Sequence, residues 1–330
     1  MTKKILIIPL ALCVSLGCST AQKSAPRVPV ADDTREQILS RLILGKTPSE
    51  TASAQALQAE AGEQAAGEAV AVARKVEIGR RKNGSPRGYE YISIATGQVV
   101  AREIIDDAGA RSLTGRIPDG LIVQYSPEGN VVAEFNYNAG RLEGIVKEFD
   151  PQGNVAYIKS YKAGHLCGLT RKFYPDGSVH KEINYHGGLR HGATRKFSPG
   201  GALISVEQYR DDVLEGTARE FYVTGVLKKE TEYALGRIDG YQREFDPTGI
   251  KRSEHYYGRG VLSGVSRLFY EEGGIHMEIR YVDGKREGDT RIFSVNNPQT
   301  PIYIDTYRND KKIRRRAFTA TGDLLFVLDY

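Results

Sequence analysis

Glycine recurs along this chain at one fixed interval. Gly120, Gly144, Gly168, Gly192, Gly216, Gly240, Gly264 and Gly288 form a series in which each number exceeds the last by 24. A period of that length marks a fold made by stacking one supersecondary unit, because a single unit cannot bury its own apolar face. An aromatic residue stands five positions after each: Tyr125, Phe149, Phe173, Phe197, Phe221, Phe245, Phe269 and Phe293. A second glycine follows four later, from Gly129 to Gly273. Then Tyr137, Tyr161, Tyr185, Tyr209, Tyr233, Tyr257 and Tyr281 keep the phase. A third glycine series, Gly140 to Gly284, is broken once, by Asp212. With glycine at about one residue in nine, one eight-membered ladder has a chance frequency on the order of 10⁻⁸ before the choice of period.

The residue types inside the repeat specify β-structure. Pro151-Gln152-Gly153, Pro175-Asp176-Gly177 and Pro247-Thr248-Gly249 are turn tripeptides. Proline presets φ at the start and glycine accepts the left-handed conformation at the end, which is the chemistry of a three-residue hairpin with a bulge. A second reversal, Tyr161 to Gly168, uses Gly164 and Gly168. Two turns per unit leave two strands of about six or seven residues, an ordinary strand length. Ile275 to Tyr281 alternates apolar and polar at period 2, as a half-buried strand should, and Val131, Ala133, Phe135 and Tyr137 do the same. Stacking should therefore bring equivalent aromatics into rows, a continuous aromatic spine. Composition agrees: 36 Gly and 19 Tyr with no Trp suit turns and aromatic-studded strands.

Residues 1–75 are of another kind. Lys3 and Lys4 precede a mostly apolar run, Ile5 to Leu16, too short to span a bilayer and laid out as a secretory signal. The run ends Ser15-Leu16-Gly17-Cys18, which resembles a bacterial lipoprotein signal. Gly17 and Cys18 match that pattern; Ser15 stands where it has leucine. The resemblance implies removal of residues 1–17, lipid on Cys18, and location in the bacterial cell envelope, with Ser19 pointing to the outer membrane in a Gram-negative source. Without residues 1–17 the chain carries 44 basic against 41 acidic residues, too mild an excess to select nucleic acid. Cys167 is then the one cysteine in the repeats, where it replaces a residue acidic at Asp119, Glu143, Glu215, Asp239 and Glu287; an exposed, inert turn thiol is expected. Residues 18–75 read as a tether. It has a polar, proline-containing start, a capped short helix around Ile38, Leu39, Leu42 and Ile43, and an Ala/Glu/Gln-rich spacer.

The spacing Tyr-x2-Gly-x3-Gly-x4-aromatic-x3-Gly, as in Tyr185, Gly188, Gly192, Phe197 and Gly201, resembles the MORN repeat, and more closely its variant in bacterial proteins of the YwqK-type antitoxin kind. The resemblance implies an all-β, elongated, single-layer antiparallel β-meander. Residues 120–295 carry the regular units, 76–119 a degenerate N-terminal unit or cap, and 296–330 a degenerate C-terminal one.

Catalytic patterns are absent from the sequence. No phosphate-cradling loop joins a strand to a helix, and no Gly-x-Ser-x-Gly elbow occurs. His180, His186 and His191 fall at different repeat phases, so no metal is expected, and no cofactor or enzymatic activity either. What remains is charge. Lys147, Arg171, Arg195, Arg219, Arg243, Arg267 and Arg291 form a basic row, each two residues before the aromatic. Their stems could pack over aromatic rings with the heads in water, or the row could be a track for an acidic protein surface, a lipid headgroup or an anionic glycan. Glu134, Glu182, Glu230, Glu254 and Glu278 form an acidic row on the next strand; register decides whether the rows meet. A basic cluster from Arg308 to Arg316 in the last unit should protect a sheet edge from pairing, the alternative being a headgroup- or partner-binding patch. The expected function is an envelope-anchored, non-catalytic scaffold binding a protein partner through its sheet. The alternative is an antitoxin or immunity protein that neutralises a toxin by direct binding.

Overall fold

Where the backbone alternates between two kinds of turn in every repeat, the ladder of hydrogen bonds has only one way to continue, and the chain takes it. The computed structural model describes residues 70–330. The signal at 1–17, Cys18 and nearly all of the tether lie outside the described residues. Among the described residues there is no helix, and all 27 strands belong to one sheet, antiparallel throughout but for one pairing. In the repeats each strand pairs with its sequence neighbours: Val155–Lys162, for example, lies between Gly144–Phe149 and Gly168–Phe173. This is the β-meander that the repeat predicts.

The two turns differ. At Asp150 to Asn154, the Gly153 N–H donates to Asp150 O at 3.0 Å and the Asp150 N–H to Asn154 O at 2.9 Å. The ladder slips one register between Glu148 and Phe149 there, so the expected bulged hairpin forms. The second turn is tighter than the two-glycine reading suggests. Ala163 and Gly164 alone reverse the chain, with φ of 50° and 86°, and Lys162 pairs with His165. Positive φ at both central residues is the primed two-residue hairpin turn, whose twist matches that of the strands. Gly168 belongs instead to the interruption that starts the next strand.

Because the sheet is one layer, burial within the repeats is shallow. On one face the well-covered side chains at mid-strand are Val146, Thr170, Thr194, Thr231, Ser266 and Thr290, none larger than valine. They share a face with the tyrosines. Successive tyrosines do not form an unbroken spine. Tyr161 pairs with Leu166, Tyr185 with Arg190, Tyr209 with Leu214 and Tyr233 with Ile238, so another side chain separates each ring from the next. Two strand spacings, about 9.6 Å, separate equivalent residues, which exceeds the reach of ring-to-ring contact.

Both ends depart from the repeat. Strands β1 (Ala73–Glu77), β2 (Gly88–Ser93), β3 (Val99–Ile105), β4 (Arg111–Gly115) and β5 (Gly120–Tyr125) do not lie in chain order. β1 is antiparallel to β2 and parallel to β5, so the spatial order is β4, β3, β2, β1, β5. β1 begins at Ala73 and thus crosses the boundary placed between residues 75 and 76. Its insertion creates the apolar cluster of the sheet: Ala73, Tyr91, Ala101, Ile117 and Ile122, with Tyr89 and Tyr137 against it. At the other end, the basic segment does not edge the sheet. Lys311–Phe318 lies between Asn297–Arg308 and Leu324–Asp329, and the last of these is apolar and exposed along its length. Three of the cluster's arginines are instead ion-paired, Arg314 to Asp329 and Arg315 to Asp305, both at 2.6 Å, and Arg316 to Asp289 at 2.8 Å.

Candidate interaction surface

Register brings the basic and acidic rows onto one line. Cross-strand partners run Glu134, Lys147, Ile158, Arg171, Glu182, Arg195, Val206, Arg219, Glu230, Arg243, Glu254, Arg267, Glu278 and Arg291. Residues paired this way project from the same face. The line crosses the strands on the face opposite the repeat tyrosines, since each tyrosine and the glutamate three residues before it differ in parity.

Every cation in the row has a carboxylate beside it. Lys147 lies 3.3 Å from Glu134, Arg171 3.0 Å and Arg195 3.8 Å from Glu182, and Arg219 2.8 Å from Glu230. Arg243 reaches Glu230 and Glu254, both at 3.1 Å; Arg267 reaches Glu254 at 3.2 Å and Glu278 at 2.9 Å; Arg291 is 3.7 Å from Glu278. Packing over aromatic rings is the lesser part of the arrangement: among the described residues, Arg243 is the member of the row seated on a ring, that of Tyr241. Seven cations and five carboxylates leave the ladder an excess of two positive charges between Glu134 and Arg291.

That excess is not spread evenly. Around Glu254, which is 8% exposed, Arg243, Lys251 and Arg267 converge. Burial raises the Glu254 carboxyl, but its bonds to Lys251 and Arg243 outweigh this and hold it below the usual carboxylate range. Burial likewise opposes the Arg243 charge, and Glu254 with Glu232 and Glu230 overcomes it. The Glu278 hydrogen bond raises Arg267. At two of the six positions between successive cations the ladder residue is aliphatic: Ile158 separates Lys147 from Arg171, and Val206 separates Arg195 from Arg219. Beside Val206 the two arginine side chains are 43% and 49% exposed, against 24% for Arg243. The glutamates thus follow a doubled period, at Glu134, Glu182, Glu230 and Glu278, with Glu254 added. Tyr174, Tyr222 and Tyr270 share that doubled period, each donating its hydroxyl to a carbonyl one repeat on, at Phe197, Phe245 and Phe293.

The acidic residues that Cys167 interrupts act as inter-repeat staples. Glu143 accepts from the Ala163 N–H at 2.7 Å, Glu215 from Leu235 at 3.0 Å, Asp239 from Arg259 at 3.3 Å and Glu287 from Asn309 at 2.8 Å. Each donor is the first residue of a two-residue turn, at φ near 50°. Asp212, the exception in the glycine series, accepts from the Arg190 backbone N–H and side chain, and Arg190 lies over the Tyr209 ring at 3.9 Å. Recurrence of an acid one place before the phase glycine is the signal visible in the sequence; its acceptor role needs the fold. Cys167 is half-buried, and its N–H donates to Ser160 O at 2.9 Å. His186 and His191 flank one turn with ring centroids 5.9 Å apart, while His180 lies against Tyr174.

This architecture defines a class, the β-meander repeat protein. Within it, residues 142–163 and 166–186, two consecutive units, match the family model of the MORN repeat variant. No curated protein matches the chain. Among solved structures, the one described as the crystal structure of TcdB2-TccC3-TEV is similar at 12% identity over 72% of this chain and 15% of that one, with a TM-score of 0.17. The Photorhabdus luminescens Tc holotoxin pore is similar at 12% identity over 71% and 17%, with a TM-score of 0.18. The chain therefore spans under a fifth of either.

Proposed function

We propose that this protein is a non-catalytic interaction scaffold, held at the bacterial cell envelope by lipid on Cys18, that binds an acidic protein partner through the charge-ladder face. The observation that carries the reading is the uneven compensation of the basic row: exposed, singly paired arginines stand beside Val206 on an open sheet face. Charges so placed cost little stability to keep and remain available to a partner, whereas a purely structural ladder gains more by alternating sign throughout. A toxin would be one such partner.

The test is a crosslinked pull-down from detergent-solubilised envelope, using the wild type and a variant combining Arg195→Gln, Arg219→Gln and Arg243→Gln. A partner captured by the wild type should weaken with salt and be lost from the variant. A partner retained equally by both, at every salt concentration, overturns the reading. Fractionation checks the anchor: Cys18→Ser should release the protein from the membrane fraction, and unchanged detergent partitioning would refute lipidation.

A further inference from the structure

The basic row is not one uniform track. The ladder divides it. At Glu254 the flanking guanidinium groups each reach two glutamates and their charge is spent within the sheet. Where the intervening position is aliphatic, two cations flank a half-buried hydrocarbon, and each is held by one glutamate on its far side only. This happens twice in a regular frame, at Lys147–Ile158–Arg171 and at Arg195–Val206–Arg219, two repeats and four strands apart. Four strand spacings are about 19 Å, and two spacings, about 9.6 Å, separate the backbone positions that carry the two cations of each triplet.

We infer that these two triplets are copies of one subsite for an acidic polypeptide segment in the polyproline II conformation, lying across the strands with a carboxylate at every third residue. The inference rests on the scaffold reading. Three observations favour this occupant. A polyproline II chain rises about 3.1 Å per residue with three residues per turn, so every third side chain lies on one side, about 9.3 Å apart, matching the spacing of the cation-bearing positions. A β-extended chain does not fit, because its same-side residues repeat every second position, about 6.7 Å apart. The aliphatic side chain between the cations also has a role here, since it gives the passing chain an apolar surface. A phosphate or sulfate polymer would gain nothing from that contact. Guanidinium groups suit carboxylates by their paired, planar donors. Glu182, between the triplets, should repel an acid placed over it, so the two subsites are separate stations.

The substitution that tests this leaves every arginine in place. Val206→Glu would supply the missing carboxylate and make the central subsite resemble the Glu254 position, which already forms ion pairs in this same fold. The variant should therefore keep the thermal stability of the wild type, with Val206→Thr as an uncharged control. The probe is a fluorescein-labelled peptide of Glu-Pro-Pro repeats, with polyphosphate of equal charge beside it, both titrated by fluorescence anisotropy into the full chain. We expect the peptide to bind, Val206→Glu to weaken it about tenfold or more, and Val206→Thr to remain within about threefold. Equal binding of the peptide by the wild type and Val206→Glu overturns the subsites. If the Arg195, Arg219 and Arg243 variant loses the envelope partner all the same, the basic track stands and only its division fails. Polyphosphate bound as tightly as the peptide, and lost equally in Val206→Glu, overturns the acidic peptide as ligand. No peptide binding at low salt overturns the inference, and the pull-down then decides the scaffold reading by itself. A Val206→Glu protein that unfolds would overturn the premise that the ladder accepts a carboxylate there.

Discussion

The N-terminal strands and the repeat array stabilise the same sheet by different means. Around β1, large side chains vanish from solvent: Tyr91 is 1% exposed and Ile122 is 0%. In the array most of the comparable aromatics are half-buried, Phe293 being covered, and the covered mid-strand positions are mostly threonines and serines, with Val146. One region has a small core; the other has turns, staples and cross-strand ladders repeated many times. A repeated sheet can spread modest contributions over many equal interfaces, whereas the N-terminal strands do not follow the repeat and bury an apolar cluster of their own. β1 creates that cluster by entering the sheet between β2 and β5.

Truncating an aromatic in each region should show this difference at its largest. Tyr91→Ala removes a fully buried ring and should cost about 3–5 kcal/mol, while Phe197→Ala, half-buried, should cost about half as much. Hydrogen exchange would locate the damage: in the first case it should be confined to residues 73–125, in the second it should weaken the coupling between flanking repeats. Equal losses, spread over the whole chain in a single two-state transition, would mean that the sheet unfolds as one core and that the distinction is void.

A smaller effect should appear in pH dependence. Lys75 is 7% exposed, with Nζ 4.1 Å from the Tyr89 ring centroid and 4.9 Å from that of Phe135. Burial pushes its ammonium down to about 8; Glu103 opposes that and Arg111 adds to it. The folded state thus releases a proton that the unfolded chain keeps until about pH 10.4. Below pH 8 both states hold it, and the penalty for burying the charge is constant. As pH rises from about 8 to 9.5 the unfolded state binds more protons, so stability should increase, by about 1–2 kcal/mol. Above that range the tyrosines take over with opposite sign, because burial raises the Tyr91 hydroxyl and the unfolded chain ionises first. Urea denaturation across that window should show the rise at β1–β5, and Lys75→Met should abolish it. A flat profile in the wild type would show that the ring contacts keep the charge in place.

The smallest effect sharpens the comparison within the array. Arg243→Gln leaves Glu254 with fewer partners in a covered position and should cost about 1–2 kcal/mol, whereas Arg195→Gln should cost at most about 0.5 kcal/mol. Chemical denaturation of the two variants side by side measures this. A reversed order would mean that the exposed arginines are structural and the covered ones dispensable.

The repeat phase, the bulged Pro-x-Gly turns and the antiparallel meander were legible in the sequence because each is local: a turn's chemistry lies within a few neighbouring positions, and a repeat specifies its own neighbour. The charged rows were visible for the same reason, as residue types at a constant offset. Their meeting was not, since register depends on where the Glu148/Phe149 slip and its equivalents fall, and a shift by one position would move every glutamate to the other face. The two-residue turn escapes a reading of the sequence because Ala163 carries no sign of positive φ, and its staple, Glu143, belongs to the preceding repeat. β1 was hidden for a stronger reason. Ala-Arg-Lys-Val-Glu is polar, lies outside the repeat phase and gains its place by pairing with Ile122 to Tyr125, beyond three intervening strands of the chain. The sequence by itself determined that the chain is a repeated antiparallel sheet; only the tertiary structure decided where that sheet begins and which charges are left unsatisfied, because both depend on pairings between segments that carry no local mark of each other.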